Sequence, residues 1–589
     1  MSSLNPNVPF NARPGSYFAL GTKSATSVNG LRELSGRYRV HVLADMLSSG
    51  TADPSKPLLI TSQKQADQYF GARSGCARGY TRVATEITGG VDIYCTGVLM
   101  PSGTQATAII KVIAALGASG SGQIKLRICD WLAVCDVSNG DSASTIAANL
   151  KAAIDALGSI PFTAAVVSET ITLTYATKGL MGNDKPIATW IDDSLSGVTL
   201  SPGTLTLATN ADGTGAGHTV VCNNKSVTYD VPNTTTPTAA AVAWAALINA
   251  DGSFHLKATD DGAGVVILLY RNGHPVHRIT SSTTDGAQTV TRATGTAGAG
   301  APTLTTALNN LASFDAMQEW VTIFDDDTSL ESIIAHLRTY GNGYYMKEQF
   351  LTWGNTQGLT DAGAVASNLT PSVITPSDDD STVGRYTEVW CANAFQQGFE
   401  LACHRAAARA VQRRPTKNLN FYPLHSNTTG ISLTFPDVND WPDPATTGTA
   451  RTTYFLCPLI VRRGQFCIES DVNTYGGTSL KYRKSSYVHG VANYRNKLKT
   501  TLEERFGNKE YVEHSEVRTP DCFNFDMLAG AVMDVKSELE ADNLFDGAAF
   551  FEPKIDVKAD PDQPGVILVS DPVLMPVELD RIEGRISPP

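Results

Sequence analysis

Positive charge is scarce in this sequence. Lys and Arg total 46 against 58 Asp and Glu, a formal net charge of −12, and charged residues of both signs make up only 18% of 589 residues. A negative chain disfavours broad nucleic-acid binding, which depends on neutralising phosphates with Lys and Arg. Low total charge with 42% apolar residues argues against a disordered chain and supplies enough apolar surface for several cores. No run approaches 18 apolar residues, so no membrane span and no membrane insertion are expected. The N-terminus, "MSSLNPNVPFNARPG", shows no basic stretch followed by an apolar one, so no secretory signal is read there. The ten cysteines are scattered without a CxxC or a paired His spacing suited to zinc. Buried free thiols made in a reducing compartment are expected, with no metal and no cofactor.

Chemical motifs are equally thin. There is no GxxxxGK[ST] loop and no GxSxG elbow, so the ten histidines carry no local signature of a nucleophilic triad. Two acidic clusters occur, Asp325–Asp327 and Asp378–Asp380. Consecutive carboxylates point to different sides of a strand, so solvated loops are the favoured reading over a metal or acid–base site. The stretch "QADQYFGARSGCARGYTRVA" (65–84) interleaves Gly71, Gly75 and Gly79 with Arg73, Arg78 and Arg82. A phosphate cradle needs a strand before the glycines, but "TSQKQADQYF" has helical spacing behind a Thr61 or Ser62 cap. Gly71 then falls just past a helix end, at a position needing φ > 0. The three arginines remain open between solvated surface and subunit contact. No catalytic residue is assigned.

What is present is a change of composition near residue 100 and again near 300. The intervening chain is rich in Ala, Thr, Gly and Ser, with linkers such as "GASGSG" and "GTAGAGAP". It contains a repeat. Each copy has an alternating strand, a polar turn, a helix and two short strands, with Ile146, Leu150, Ile154 and Leu157 on one helix face. Val242, Ala245, Leu247 and Ile248 take that part in the second copy. Asp141 or Ser142 caps the first helix and Pro237 opens the second.

Outside this region the pattern is α/β. Strands are expected at 37–46 and 91–99, and helices at 394–411, 485–507 and 525–545. Both termini read as extended and coreless. The fold class expected is therefore α/β and α+β, multidomain, with a core discontinuous in sequence. Its parts are an N-terminal arm (1–35), a first core part (36–100), two tandem α+β modules (101–205 and 206–300), a second core part (301–450) and a C-terminal domain with a terminal arm (451–589).

The order of these pieces resembles the tail sheath proteins of contractile-tailed bacteriophages, the Mu-like branch above all. "VPFNARPGSYFAL" resembles that family's opening arm. "KPLLITSQKQADQYFGARSGCARGYTRVA" resembles its Thr-Ser, helix, Phe-Gly-x-x-Ser, helix segment, here Thr61, Ser62, Phe70, Gly71, Ser74 and Gly75. "VRRGQFCIESDVNTY" looks like its strand pair ending in Thr474 and Tyr475, and "LEADNLFDG" and "DPVLMPVELDRIEGRI" look like its closing segments. The family's Asp-Pro-Ala-Arg-Pro run is only "RRPTKNLN" here, and Ala541 and Asp542 stand at its Gly and Glu positions.

The resemblance implies a structural protein and no enzyme, forming stacked hexameric rings around a tail tube, meeting baseplate and tail terminator proteins, and contracting to drive the tube through the host envelope. It implies assembly in the host bacterial cytoplasm into the virion tail, with no nucleic acid bound. It also implies terminal arms that add strands to a neighbour's sheet. The arm residues expected to make those contacts are Val8, Phe10, Tyr17, Phe18 and Leu20, with Val566, Leu568, Val577, Leu579 and Ile582. Arg405, Arg409, Arg413 and Arg414 form the basic stripe expected to face the tube. Two rival readings are an adhesin-like or receptor-binding tail protein that uses the Thr/Gly-rich modules, and a hydrolase with an inserted binding module.

Overall fold

The fold is taken from a computed structural model. It describes residues 38–87, 90–100, 102–114, 117–158, 160–213, 217–223, 225–314, 318–341, 349–357, 384–391, 394–412, 418–424, 453–462, 465–475, 483–506, 510–511, 522–541, 555–559 and 567–570, with a few single residues between them. Residues 1–37 and 571–589 lie outside, and with them Val8, Phe10, Tyr17, Phe18, Leu20, Val577, Leu579 and Ile582.

The chain opens with β1 (Tyr38–Met46), β2 (Pro57–Ile60), α1 (Gln63–Phe70), α2 (Gly75–Glu86) and β3 (Val91–Leu99). Ser62 caps α1, its hydroxyl accepting from the Gln65 N–H, and Ser74 caps α2 through the Ala77 N–H. Between them Gly71 has φ +87° and donates its N–H to Asp67 O at 2.9 Å, closing α1 in the left-handed conformation that glycine adopts without a Cβ penalty. "FGARSG" is thus a joint between two capped helices.

The first copy of the repeat follows: β4 (Gln105–Ile113), β5 (Gly122–Ile128), β6 (Trp131–Val137), α3 (Ala143–Asp155), β7 (Phe162–Val167), β8 (Thr170–Lys178), β9 (Ile187–Ile191) and β10 (Thr199–Ser201). The second is β11 (Gly203–Ala208), β12 (His218–Cys222), β13 (Lys225–Tyr229), α4 (Pro237–Ala250), β14 (Leu256–Asp260), β15 (Val265–Tyr270), β16 (Ile279–Thr283) and β17 (Thr289–Ala293). The duplication is visible in the pairing. The first copy forms sheets β10-β4-β8-β7 and β6-β5-β9; the second forms β17-β11-β15-β14 and β13-β12-β16, the same order strand for strand.

Ser142, not Asp141, caps α3, while Asp141 accepts from the Ser138 N–H in the preceding turn. Thr236 caps α4 with Pro237 in the first turn. The expected inner face of α4 is half corrected. Ala245 and Ile248 are buried, but Val242 and Leu247 point outward, and Ala240, Ala241 and Trp244 complete the buried face. α4 is apolar nearly all round, so periodicity leaves the face open, and the large Trp244 decides it.

The rest comprises α5 (Thr305–Ala312), β18 (Glu319–Thr322), α6 (Asp327–Gly341), β19 (Phe350–Asn355), β20 (Tyr386–Trp390), α7 (Gly398–Ala410), β21 (Cys457–Arg462), β22 (Gln465–Ile468), α8 (Ser485–Phe506), β23 (Glu510–Tyr511), β24 (Cys522–Phe523), α9 (Phe525–Ala541), β25 (Asp556–Ala559) and β26 (Ile567–Ser570). The main sheet is ordered β2-β3-β1-β18-β19-β20-β21-β22. Its six inner strands run parallel, and β2 and β22 are antiparallel at the edges. Every residue of β18, β19 and β20 is buried, as a parallel sheet covered on both faces requires. Helices α2 and α7 pack together on this sheet, and a second cluster of α8, α9 and Val557 of β25 forms a separate apolar core.

None of the ten cysteines is in a disulfide, and nine are buried. No helix among the described residues is long and apolar enough to cross a membrane.

Candidate functional site

In an open parallel sheet the natural ligand crevice lies beyond the carboxyl ends of the strands, where neighbouring connections diverge. Here that place is the end of β1, between β3 and β18. It is filled by the chain itself. Asp45 puts its carboxylate at the N-terminus of α2, accepting from the Gly75 N–H at 3.2 Å, and a Cβ on residue 75 would lie 2.2 Å from Asp45 Oδ1. The other Asp45 oxygen accepts from Thr177 Oγ1 of β8 at 3.0 Å. The anion that a helix N-terminus favours is therefore an internal carboxylate, and the first repeat covers it.

Behind Asp45 lies a buried ionic junction. Arg78, Arg82 and Glu86 are spaced four apart and line one face of α2. Arg78 donates to Glu400 Oε1 of α7 at 3.1 Å and to the Tyr175 hydroxyl at 2.7 Å. Arg82 donates to Glu400 Oε2 from Nε at 3.2 Å and from Nη2 at 2.9 Å, and it also pairs with Asp130 in the β5–β6 turn. Glu86 pairs with His404, one turn along α7 from Glu400, at 2.7 Å.

Burial pulls Arg78 toward losing its proton, but Tyr175 and Glu400 outweigh it and hold the guanidinium charged. Burial likewise pushes Glu400 up, and Arg82 and Arg78 bring it below the ordinary range. Each charge thus persists because its partner is fixed. Arg78 and Arg82 are neither solvated surface nor free for a subunit contact. The junction joins three separate pieces: α2, α7 and the first repeat.

A second pair of arginines on α7 continues it. Arg405 donates to Thr352 Oγ1 of β19 at 2.9 Å and to Asp471 Oδ1 at 2.7 Å, and Arg409 donates to Asp471 Oδ2 at 2.6 Å. Burial would raise Asp471, but Arg409 and Arg405 hold it down. Arg405 and Arg409 are 1% and 0% exposed, which corrects the expectation that they face outward as a basic stripe. The helical spacing that suggested a stripe is real, but both charges turn inward onto one aspartate. Arg413 and Arg414 lie outside the described residues.

The first acidic cluster resolves into local structure. Asp326 accepts from the Ser329 N–H at 3.0 Å at the start of α6. Asp378–Asp380 lie outside the described residues. Among the described residues no His, Cys, Asp and Glu cluster has metal-holding geometry. Leu568 lies on β26, whose backbone pairs antiparallel with β25 of the same chain, Lys558 opposite Leu568. One edge of that strand is therefore taken within the same chain, and Val566 lies outside the described residues.

Glu400, Asp130, Tyr175 and Asp471 are partners that no motif in the sequence singles out. Charges at every fourth position of otherwise apolar helices were the available signal, since such charges stay buried only when paired.

No protein-family model matches the chain. Over 148 residues it is 28% identical to the Mu-like prophage FluMu tail sheath protein of Haemophilus influenzae, a match spanning 25% of this chain and 30% of that protein. Among solved structures, a sheath tail protein from Desulfitobacterium hafniense has a TM-score of 0.39 at 12% identity, over 89% of this chain and 91% of the other. One from Listeria innocua has a TM-score of 0.39 at 11% identity, over 92% and 93%. A chain of the anti-feeding prophage baseplate has a TM-score of 0.33 at 8% identity, over 48% of this chain and 72% of the other. The chain is thus related in sequence to a tail sheath protein of a Mu-like prophage.

Proposed function

We propose that the chain is a structural protein of a contractile phage tail, the sheath that polymerises as stacked hexameric rings around the tail tube and contracts to deliver the genome. The observation that carries this is the 148-residue match to a Mu-like prophage sheath protein. Two features support it. The crevice where an α/β enzyme would place a ligand is closed by Asp45, Thr177 and the ionic junction. The β25–β26 ribbon has only two strands among the described residues, and a two-stranded ribbon is marginal alone. Its outer edges suit strands added by the extended termini of a neighbour, which satisfies backbone groups on both partners.

In this reading the terminal arms keep subunits linked while the rings rotate and slide, a rigid-body change at interfaces. The junction of α2, α7 and the first repeat makes each subunit one body during that change. The partners are other copies of the chain, the tail tube, the baseplate and the tail terminator, and the place is the virion tail, assembled in the host cytoplasm. The repeats face away from the tube. Negative-stain microscopy of the purified full chain tests the proposal: long tubular polymers are expected, and a uniform population of monomers or trimers would sink it in favour of a receptor-binding protein.

A further inference from the structure

A cleft of about 320 Å³ lies between the two repeats. One wall comes from β4 and the 294–297 return, the other from the segments 182–187 and 276–280. Volumes near this size hold small ligands. Within a chain of net charge −12, the cleft is locally basic: Lys185, Arg278 and Arg292 line it against one carboxylate, Asp184, which already accepts from Gln357 Nε2 at 3.2 Å. Lys185 also acts on the Asp325 carboxylate, which leaves Arg278 and Arg292 as the cations facing the cleft. Arg278 and Arg292 are both exposed at the mouth of the cleft, and the like charge of Arg278 disfavours the charge of Arg292. Two guanidinium groups held close without a shared anion raise each other's energy, and an anion placed between them relieves this.

The rest of the lining includes Thr107, Thr280, Thr294 and Thr296, hydroxyl groups of the kind that bind a polyhydroxylated ligand, while Asn183 is tied to the Gly298 backbone at both ends of its amide. The walls are held before any ligand arrives. Ile187 and Val276 exchange backbone hydrogen bonds at 3.0 and 2.8 Å, and the Thr296 N–H donates to Thr107 Oγ1 at 2.8 Å. Asn223 pins the 275–278 turn, donating to Pro275 O and accepting from the His277 and Arg278 N–H groups. A preformed wall reduces the ordering cost of binding.

We propose that this cleft binds an anionic saccharide, a sugar unit carrying a carboxylate, with Arg278 and Arg292 forking the carboxylate and the threonine wall taking the hydroxyls. Planar guanidinium groups match a carboxylate in a way an ammonium does not. The site depends on neither the tail-assembly proposal nor the arms, and it exists in a single subunit.

The test is saturation-transfer NMR and titration calorimetry of the full chain with a glucuronate-containing disaccharide. The neutral glucose disaccharide and inorganic phosphate serve as references. Binding of the uronate, with at least tenfold weaker affinity for both references, is expected. Arg278→Ala/Arg292→Ala should weaken uronate binding at least tenfold. Both side chains are exposed, so the melting curve should be unchanged. Arg278→Lys/Arg292→Lys keeps the charge and should recover only part of the affinity. No uronate binding by the wild-type chain overturns the proposal, as does binding undiminished in the double alanine variant. Phosphate binding as tightly as the uronate removes the saccharide from it.

Discussion

Glu400, like Asp471, is a buried carboxylate on which two guanidinium groups converge. It is 0% exposed and accepts from both Arg78 and Arg82. Removing one partner of a buried ion pair leaves the other charge uncompensated, at a cost of about 3–5 kcal/mol. Glu400→Gln is therefore expected to lower unfolding free energy by about that amount in denaturant titration, whereas a change within 0.5 kcal/mol would show the pairing to be dispensable. Gly75→Ala places a Cβ against Asp45 and Ala44 and should cost about 1–3 kcal/mol by overpacking, measured the same way. Glu388 on β20 behaves oppositely. Burial, aided by Asp325, pushes it up to about 8 against the pull of Asn355 and Trp353. Its folded pKa lies above its unfolded value, so its contribution to stability is fully present in acid and is lost as pH rises from about 4 through 8. Glu388→Gln should flatten that part of the pH–stability curve and stabilise the protein at pH 7 by up to roughly 3 kcal/mol; an unchanged slope would show that the carboxyl is ionised in the fold.

At the scale of elements, the repeat region closes on itself. Thr104 and Ala299 exchange backbone hydrogen bonds at 2.9 and 3.2 Å, so the two ends of the repeat region meet. Segments with adjacent ends tolerate excision and independent folding. Residues 102–302 alone should give a cooperative thermal transition with mixed α/β circular dichroism. The chain with 103–300 replaced by a short glycine linker should fold but unfold several kcal/mol more easily, because Asp45, Arg78 and Arg82 lose Thr177, Tyr175 and Asp130. Equal stability would mean that the junction holds nothing. The duplicated topology, the strands β1 and β3 and the helices α7, α8 and α9 were legible in the sequence, since each follows from periodicity and composition. The inward turn of Arg405 and Arg409 was not. Helical spacing gives the face a charge lies on, but whether that face meets solvent or an aspartate depends on Asp471, more than 60 positions away. The α4 face failed for a related reason: Val242 and Leu247 are as apolar as Ala240 and Ala241, and only the packing of Trp244 separates them.

At the scale of the whole molecule, the described structure has a closed subunit core and a strand ribbon with little of its own to pair with. The main sheet shows how an edge is normally handled: β22 is flanked by the 421–424 segment, with Leu424 N–H donating to Phe466 O at 2.8 Å and Ile468 N–H donating to Tyr422 O at 3.1 Å. No such cover lies along the β25–β26 ribbon among the described residues. On the sheath proposal, strands supplied by another copy of the chain would provide it. Deleting residues 1–20 should therefore leave circular dichroism and the melting temperature of the soluble chain unchanged within error while abolishing tubular polymers under negative stain. Deleting 571–589 should do the same. Both outcomes are needed together: tubes that persist in either deletion remove that terminus as a linking arm, and a deletion that unfolds the chain shows the segment to belong to its own subunit's core.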